Sequence, residues 1–310
     1  MKGKILVTGG LGFIGSHIAN ALARNQENNI LVFDAQAKDG KRENVLSVRG
    51  DISDSDKLLR IVRDQEVNEI IHMIGLALIP DCRKDPNASF RLNLQSVHTV
   101  LEIMRLSDVE HMIFPSTAAV YGVPNDPKIG EEAMPRPVNI YGCHKLAAET
   151  LIHGYTESYG FEATILRLFN VYGDLEKEQG VISLFIKRAL AGRPITVKGG
   201  GQLRDFVHLK DVVRAFVECI NKPTTHQEII NVGSGIGLSV KEVAGMIQQS
   251  FPQLEIKYEP PDRKEYSVYA DISRMKNLLD FDTIHPQKGI PAFIEDCKRT
   301  RKNQQAIQEK

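Results

Sequence analysis

Short apolar runs alternate with amphipathic segments through the first half of the 310-residue chain. The runs are rich in Val, Ile and Leu and have the length of buried strands, whereas the segments between them carry apolar residues at helical spacing. Strands are predicted over residues 4–8, 30–34, 45–49, 69–73, 111–115 and 163–168. Helices are predicted over residues 16–24, 55–63, 87–105 and 141–159. This alternation predicts an α/β fold with a doubly wound parallel sheet, covered by helices on both faces.

The strict alternation ends near residue 170, where the pattern changes. Helical segments are predicted over residues 182–190, 211–219, 239–249 and 273–279, with Gly-rich and Pro-rich turns between them. We therefore expect a first domain over residues 1–170, rejoined by a segment near 205–235. Residues 171–204 and 236–310 are expected to form a smaller C-terminal α+β lobe, and the polar residues 298–310 a solvated helix or a frayed end.

Composition and charge are those of an ordinary globular protein, with 42% hydrophobic and 25% charged residues. Lys plus Arg equals Asp plus Glu at 39 each, so the chain lacks the basic excess that binds nucleic acid or an anionic membrane. The longest mostly apolar run, residues 70–79, is shorter than the ~20 residues that span a bilayer. We expect neither a nucleic-acid nor a membrane partner.

The four cysteines are far apart in sequence and form no CxxC pair. They are Cys82, Cys143, Cys219 and Cys297. This spacing indicates neither a zinc site nor a disulfide framework, so we expect free thiols, no bound metal and a cytoplasmic location.

A glycine-rich loop follows the first predicted strand and opens the first predicted helix. It contains Gly9, Gly12, Phe13, Ile14 and Gly15. Glycines allow the backbone to turn sharply and to approach a pyrophosphate closely, and the amides at the start of the helix attract its charge. The order strand, glycine loop, helix is the context that a dinucleotide-binding motif requires.

An acidic residue ends the second predicted strand. Asp34 follows the glycine loop at roughly the 20-residue spacing at which a carboxylate accepts hydrogen bonds from the adenosine ribose. A carboxylate there repels a 2′-phosphate, which favours NAD over NADP. Asp51 and Ile52 follow the third strand, where they are expected to meet the adenine ring. The alternative, a structural turn with a solvated Asp34, is disfavoured by the matched sequence context.

Tyr141 and Lys145 are four residues apart, so both side chains project from one face of the predicted helix. A neighbouring ammonium stabilises a phenolate, and we therefore expect the pKa of Tyr141 to fall from its usual value of about 10 towards neutrality. On its own such a pair is usually a surface contact. Here it follows the glycine loop, Asp34 and a strand that ends in Ser116 and Thr117, and this order favours a catalytic pair.

Together these motifs resemble the extended short-chain dehydrogenases/reductases, specifically the NAD-dependent nucleotide-sugar epimerase/dehydratase family, with UDP-glucose (galactose) 4-epimerases most similar. The resemblance covers nearly the whole chain and implies a Rossmann-type fold with a substrate-binding second lobe. The residues that carry it are 8–15, Asp34, Asp51, Ile52, His72, Asn93, 116–122, Tyr141, Lys145, 167–173, 204–208, Asp211, Arg263 and 270–271.

The resemblance implies NAD as the cofactor and assigns it a binding site. Ser116 and Phe169 would line the nicotinamide end, Asn93 would lie on the helix beneath the cofactor, and Lys145 would hold the ribose and tune Tyr141. The implied cofactor-binding set is Gly9, Gly12, Phe13, Ile14, Gly15, Asp34, Asp51, Ile52, Asn93, Ser116, Tyr141, Lys145 and Phe169.

The resemblance also implies a nucleotide-sugar substrate, with a UDP-hexose favoured. Thr117 would hydrogen-bond the reacting sugar hydroxyl while Tyr141 removes its proton. Asn170, Arg204 and Arg263 would hold the substrate diphosphate, because the planar guanidinium suits phosphate oxygens.

The two arginines have an alternative role, which is to form salt bridges with the adjacent Asp205 and Asp262. The substrate role is less secure for Arg263, since Lys and Glu follow it where the family often has Gly and Asp. Asp205, together with His208 and Asp211, is expected to fix its loop. His72 and His144 are expected to pack or hydrogen-bond structurally.

The residues after Thr117 distinguish between reactions. The family's sugar 4,6-dehydratases have Asp and Glu there as acid and base, whereas this chain has Ala118 and Ala119. We therefore expect a 4-epimerase that acts through a transient 4-keto sugar. The alternatives are a net NAD-dependent dehydrogenase or reductase, or a dehydratase, acting on a nucleotide sugar. The family further suggests a homodimer joined through the helices at 87–105 and 141–159.

Overall fold

The computed structural model describes residues 4–177, 180–220, 222–261 and 264–308. Their strands are short and mostly buried. In chain order they are β1 (Lys4–Thr8), β2 (Asn29–Asp34), β3 (Gly40–Arg42), β4 (Val45–Arg49), β5 (Glu69–His72), β6 (His111–Thr117), β7 (Lys128–Ile129), β8 (Glu162–Leu168), β9 (Asn170–Tyr172), β10 (Ile195–Lys198), β11 (Leu203–His208), β12 (Ile229–Val232), β13 (Gly237–Ser239), β14 (Ile256–Glu259) and β15 (Tyr269–Ala270).

Helices connect most of these strands. They are α1 (Phe13–Ala23), α2 (Ser55–Asp64), α3 (Ile79–Lys84), α4 (Pro86–Phe90), α5 (Ser96–Arg105), α6 (Ile140–Tyr159), α7 (Val181–Leu190), α8 (Leu209–Cys219), α9 (Val240–Ser250), α10 (Ser273–Leu279) and α11 (Pro286–Gln308). A π-helical turn at Arg91–Gln95 joins α4 to α5, and short 3₁₀ turns lie at Ala118–Tyr121 and Pro223–Thr225.

The main sheet has eight strands in the order β12-β8-β6-β5-β1-β2-β4-β3. Its pairings are parallel apart from that of β3 with β4. The strand order reverses at β1, whose neighbours are β2 and β5. In doubly wound sheets a ligand binds beyond the carboxyl ends of the strands at such a reversal. All six strands predicted for the first half of the chain belong to this sheet.

Two apolar cores cover the two faces of the sheet. One packs β1 and β12 against α1 and α8, with buried Ile18 and Phe216 among its members. The other packs β2 and β6 against α2, α5 and α6, with buried Phe33, Leu101 and Ile152. Helices on both faces are the arrangement predicted from the alternating pattern.

A third core lies in the C-terminal lobe, where β10 pairs with β14 and β11 pairs with both β9 and β13. Residues of α10 pack elsewhere: Met275 and Leu279 are buried in the core shared with β1 and α1, although the sequence placed them in the smaller domain. The strand β12 pairs with β8 in the main sheet. The domain boundaries themselves stay a prediction.

The C-terminal helix is longer than expected. The sequence suggested a solvated helix over residues 298–310, whereas α11 begins at Pro286 and buries Ile290, Phe293, Ile294 and Cys297. Pro291 lies inside this helix. Because an internal proline usually argues against a helix, the sequence did not predict that the helix begins at Pro286. Across the described ranges, no helix is both long enough and apolar enough to cross a membrane.

Candidate active site

The glycine loop lies at the carboxyl end of β1. Gly9 has a φ of 66° and donates its amide to the Phe33 carbonyl at 2.8 Å, so the chain turns away from the sheet at once. A Cβ on Gly9 would lie 2.8 Å from the Ile74 nitrogen, and one on Gly15 would overlap the Gly9 carbonyl oxygen. Only glycine allows this turn and this close packing of α1 against the loop.

The start of α1 offers backbone amides to an anion. Gly12 caps the helix without any side-chain hydrogen bond, and the first turn carries no acidic residue. The initial amides of a helix have no partner within it, and the helix dipole adds positive potential at the same end. This cradle fits the pyrophosphate of a dinucleotide.

The structure places Asp34 beside the loop. Its Oδ2 accepts the Leu11 amide at 3.0 Å and its Oδ1 accepts the Gln36 amide at 2.9 Å, which aligns the carboxylate at the end of β2. The remaining lone pairs suit the hydroxyls of a ribose. Asp51 forms a turn with Ser53, whose amide and hydroxyl it accepts at 2.9 and 2.8 Å, while the neighbouring Ile52 is buried.

The catalytic candidates come from β6 and α6. Thr117 ends β6, and its hydroxyl oxygen accepts the Ala119 amide at 3.2 Å. The same side chain lies near enough to Tyr141, in the first turn of α6, to lower the pKa of that phenol. The helix approaches closely because Gly142 has no side chain: a Cβ there would lie 2.6 Å from the Ala119 carbonyl oxygen. Asn139 starts the helix by accepting the Gly142 amide at 2.9 Å. Local sequence thus brings Thr117 and Tyr141 together.

The pKa of Tyr141 moves opposite to the expected direction. Burial raises it to about 12, and the Thr117 side chain offsets only part of this rise. The Lys145 ammonium donates to the Pro115 carbonyl at 2.8 Å and lies 4.4 Å from the centre of the Phe114 ring. Burial in turn lowers the pKa of Lys145 to about 8. Desolvation is therefore the largest influence on the pKa of both groups, and at Lys145 it outweighs the attraction of the Glu149 carboxylate.

A buried network of hydrogen bonds and one ion pair joins α6 to the main sheet. Glu149, one turn after Lys145, accepts the Ser116 hydroxyl and both Nε and Nη2 of Arg167, the latter two at 3.0 and 2.7 Å. Arg167 also donates to the Tyr121 hydroxyl at 3.0 Å. The Arg167 and Glu149 side chains are 3% and 5% exposed, so the ion pair is desolvated. It ties β6 and β8 to α6. Sequence reasoning missed Glu149, although its position four residues after Lys145 was a signal.

Asn93 is buried in the π-helical turn and fixes the loop after β5. Its Oδ1 accepts the Leu76 amide and its Nδ2 donates to the Leu76 carbonyl, both at 3.0 Å. A Cβ on Gly75 would lie 2.9 Å from Asn93 Oδ1 and 3.7 Å from Lys145 Nζ. Asn93 and Lys145 are thus both close to Gly75, and the contact of Asn93 with a cofactor stays a prediction.

The two histidines have structural contacts, as expected. His72 bridges the Thr8 hydroxyl at 2.8 Å and the Ser96 hydroxyl at 3.0 Å, and burial lowers its pKa to about 3. His144 contacts the Ser89 hydroxyl at 2.9 Å, and burial lowers its pKa too. Both rings are therefore neutral at physiological pH.

The remaining predicted residues, Phe169 of the cofactor set and Asn170 and Arg204 of the substrate set, lie in or next to β9 and β11. Phe169 is buried between β8 and β9, and Asn170 donates to the Asp205 carbonyl at 2.8 Å. Arg204 donates to the carbonyls of Leu203 and Tyr266 and lies 4.8 Å above the Tyr266 ring. Arg263 falls outside the described residues.

Asp205 organises its loop, as the sequence suggested. The carboxylate is fully buried and accepts the amides of Ser234, Gly235 and Ala270, at 2.6, 2.9 and 3.1 Å, and the Ser234 hydroxyl at 2.8 Å. Asp211 accepts the Ile284 amide at 2.8 Å. These contacts join β11 to the turn after β12 and to β15, and α8 to the segment before α11.

Comparisons with known proteins agree with this geometry. Residues 5–233 match the model of the NAD dependent epimerase/dehydratase family. A UDP-glucose 4-epimerase of Azospirillum brasilense is 32% identical, over 79% of this chain and 77% of the relative.

Solved structures of similar proteins cover nearly the whole chain. The UDP-glucose 4-epimerase of Thermotoga maritima, solved with UDP-glucose, superposes with a TM-score of 0.87 at 29% identity, over 96% of this chain and 99% of that one. The UDP-glucuronic acid 4-epimerase of Bacillus cereus, solved with UDP-glucuronic acid and NAD, gives 0.86 at 27% identity, over 96% and 99%. The Rossmann-type fold and the NAD requirement inferred from the sequence are confirmed: this chain belongs to the NAD-dependent epimerase/dehydratase family.

Proposed function

We propose that this chain is a 4-epimerase of a UDP-hexose that works with tightly held NAD. The observation that carries the proposal is the placement of Thr117 beside the Tyr141 phenol, with Lys145 one helical turn away on α6. Ala118 and Ala119 follow Thr117, so no acid or base for water elimination stands at those positions. The epimerase names of the relatives above support the same reaction.

Three side chains perform the proton chemistry. Thr117 binds the sugar hydroxyl at C4 and holds it against the Tyr141 oxygen. As the phenolate, Tyr141 would take the hydroxyl proton while the sugar becomes a 4-keto species, and would later return it. Burial holds the pKa of Tyr141 at about 12, so this step requires positive charge beside the phenol. Lys145, whose pKa is about 8, lies one helical turn away and would supply such charge, as would the nicotinamide of NAD. NAD, when bound, accepts a hydride from the sugar carbon and gives it back.

The cofactor would lie across the carboxyl ends of β1, β2 and β6. Its adenosine would meet Asp34, Asp51 and Ile52, its pyrophosphate the start of α1, and its nicotinamide end Ser116 and Phe169. The Glu149 carboxylate supports this end, because it accepts the Ser116 hydroxyl.

The substrate diphosphate would be held by Asn170, Arg204 and Arg263. A fixed diphosphate lets the hexose turn about its own linkage, so that the hydride returns to the opposite face of C4 while the keto sugar stays bound. The stereocentre inverts with no net oxidation. Arg204 and Asn170 lie on the neighbouring strands β11 and β9, which supports a shared role for them at the diphosphate.

We also propose a homodimer and a cytoplasmic location. Large apolar residues are exposed on the surface formed by α4, α5 and α6, with Phe90 47%, Leu106 41% and Tyr159 54% exposed. Burying these side chains against a second copy would stabilise a dimer. The free thiols suit a reducing compartment. Sedimentation equilibrium tests the dimer, since a monomer at micromolar concentration would refute it.

The reaction is tested by incubating the purified protein with UDP-glucose, UDP-N-acetylglucosamine and UDP-glucuronic acid, without added NAD, and separating stereoisomers by chromatography. We expect conversion of one of them to its C4 epimer with no lasting absorbance at 340 nm. Tyr141→Phe should lower kcat by 10²-fold or more, by roughly the value of general acid–base catalysis. The exposed Tyr258 gives the control Tyr258→Phe, which should keep full activity. Stoichiometric NADH formation would instead indicate a net dehydrogenase.

A further inference from the structure

The segment after β9 crosses from the second lobe to the glycine loop. We call residues 173–177 the strap. Gly173 has a φ of 133°, and Asp174 Oδ1 accepts the amides of Glu176 and Lys177 at 2.9 and 3.1 Å, which turns the segment back on itself. Asp174 Oδ2 lies 2.9 Å from Nε2 of His17 in α1. The strap is therefore fastened to the helix that begins at the glycine loop.

The Lys177 ammonium is brought to the start of that helix. Its Nζ donates to the Leu11 carbonyl at 3.1 Å and to the Ser16 hydroxyl at 2.9 Å. Leu11 and Ser16 flank the residues whose amides face the cradle described above. A lysine from the second lobe thus adds a full positive charge to the partial charge of the helix end.

The contacts of Lys177 leave its charge available to an anion. Both acceptors are neutral oxygens, a carbonyl and a hydroxyl. The first turn of α1 carries no acidic residue, and the carboxylate of Asp174 is engaged by His17 and the strap amides. An ammonium held at this position by neutral acceptors, among unpartnered helix amides, suits a diphosphate.

We propose that Lys177 binds the pyrophosphate of NAD and that the strap retains the cofactor between turnovers. The inference rests on the proposed function, since it takes the glycine loop as the NAD site. It adds a positioning residue from outside the glycine-loop motif. It also gives the second lobe a direct contact with the cofactor. If Lys177 only fixed the conformation of the strap, replacing it would leave the affinity for NAD unchanged.

The test compares cofactor binding by Lys177→Met, Lys177→Arg and the wild type, each stripped of NAD. Dissociation constants for NAD, ADP-ribose and adenosine are measured by isothermal titration calorimetry at low and high salt. We expect Lys177→Met to weaken NAD and ADP-ribose about tenfold, with a smaller difference at high salt, and to leave adenosine unchanged, because only the first two carry the pyrophosphate. Lys177→Arg should bind nearly as the wild type does.

A matched control removes the same charge elsewhere. Lys257, exposed on β14 and paired with Glu255 at 3.6 Å, gives Lys257→Met, which should bind all three ligands normally. Unchanged NAD affinity in Lys177→Met would overturn the inference. An equal loss of affinity for adenosine would also overturn the inference, since it would indicate that the substitution distorts the glycine loop. Failure of the wild type to bind NAD would overturn the proposed function itself, whereas failure of the strap inference alone would leave NAD binding by the wild type intact.

Discussion

Replacing Glu149 by glutamine tests the network beneath the catalytic helix. The substitution keeps the size of the side chain but removes the charge that pairs with Arg167. Arg167 would keep the Tyr121 hydroxyl at 3.0 Å as a partner, yet its guanidinium is only 3% exposed and would have no counter-ion. The glutamine amide would also point an N–H group at either the Ser116 hydroxyl or an arginine donor.

The expected loss of stability follows from that burial. Removing one partner of a buried ion pair costs about 3–5 kcal/mol. Glutamine keeps one acceptor oxygen, so we expect the lower end, about 3 kcal/mol. With a urea m-value of about 3 kcal/mol per molar, this corresponds to a midpoint lowered by about 1 M. The loss of negative charge should also lower the pKa of Lys145 further, because Glu149 opposes the effect of burial there.

Urea unfolding followed by circular dichroism measures the loss, for Glu149→Gln, Arg167→Met and the double variant. The double variant should lose less than the sum of the single losses, by more than about 1 kcal/mol, because the two residues interact directly. The alkaline limb of the Glu149→Gln activity profile should lie at lower pH than that of the wild type. A loss below about 1 kcal/mol, or strictly additive losses, would refute the role given to the pair.

Three further predictions concern the loop, the cofactor and the lysine. Gly15→Ala should abolish NAD retention because its Cβ would overlap the Gly9 carbonyl, whereas Gly245→Ala, in helix α9 with open space around it, should stabilise the fold by about 0.5–1 kcal/mol; calorimetry of both variants checks this. Asp34→Asn keeps one acceptor oxygen but loses the charge, so the ratio of NADP to NAD dissociation constants should fall about tenfold or more; normal selectivity would argue against its ribose role. Lys145 has a pKa of about 8 in the folded chain against 10.5 ordinarily, so the unfolded chain binds more protons between these values and stability should rise with pH across that window, an effect absent from Lys145→Met.

Six of the eight strands of the main sheet were predictable because they are mostly apolar runs, whereas β3 is exposed throughout and has no such run. The glycine loop and the Tyr141–Lys145 pair were predictable for a related reason, since each lies within a few residues of sequence. The four-residue strand β12 gave no comparable signal: it pairs with β8, more than sixty residues earlier, and local pattern carries no information on such pairing.

The rest of the site depends on tertiary contacts. Glu149 and Arg167 come together only when α6 packs on β8, and Lys177 reaches the glycine loop only through the turn at Asp174. The pKa of Tyr141 was expected to fall because the sequence shows the neighbouring lysine but not the burial of the phenol. Desolvation reverses the direction.

The proposed mechanism requires that hydrogen leaves C4 of the sugar as hydride and returns to the same carbon. The most direct measurement is epimerisation of the UDP-hexose substrate in D₂O without added NAD, followed by mass spectrometry and NMR of the product. We predict a product of unchanged mass with protium at C4, because the hydride never exchanges with solvent. One deuterium at C4 would show that the hydrogen leaves C4 as a proton, and it would contradict the hydride mechanism.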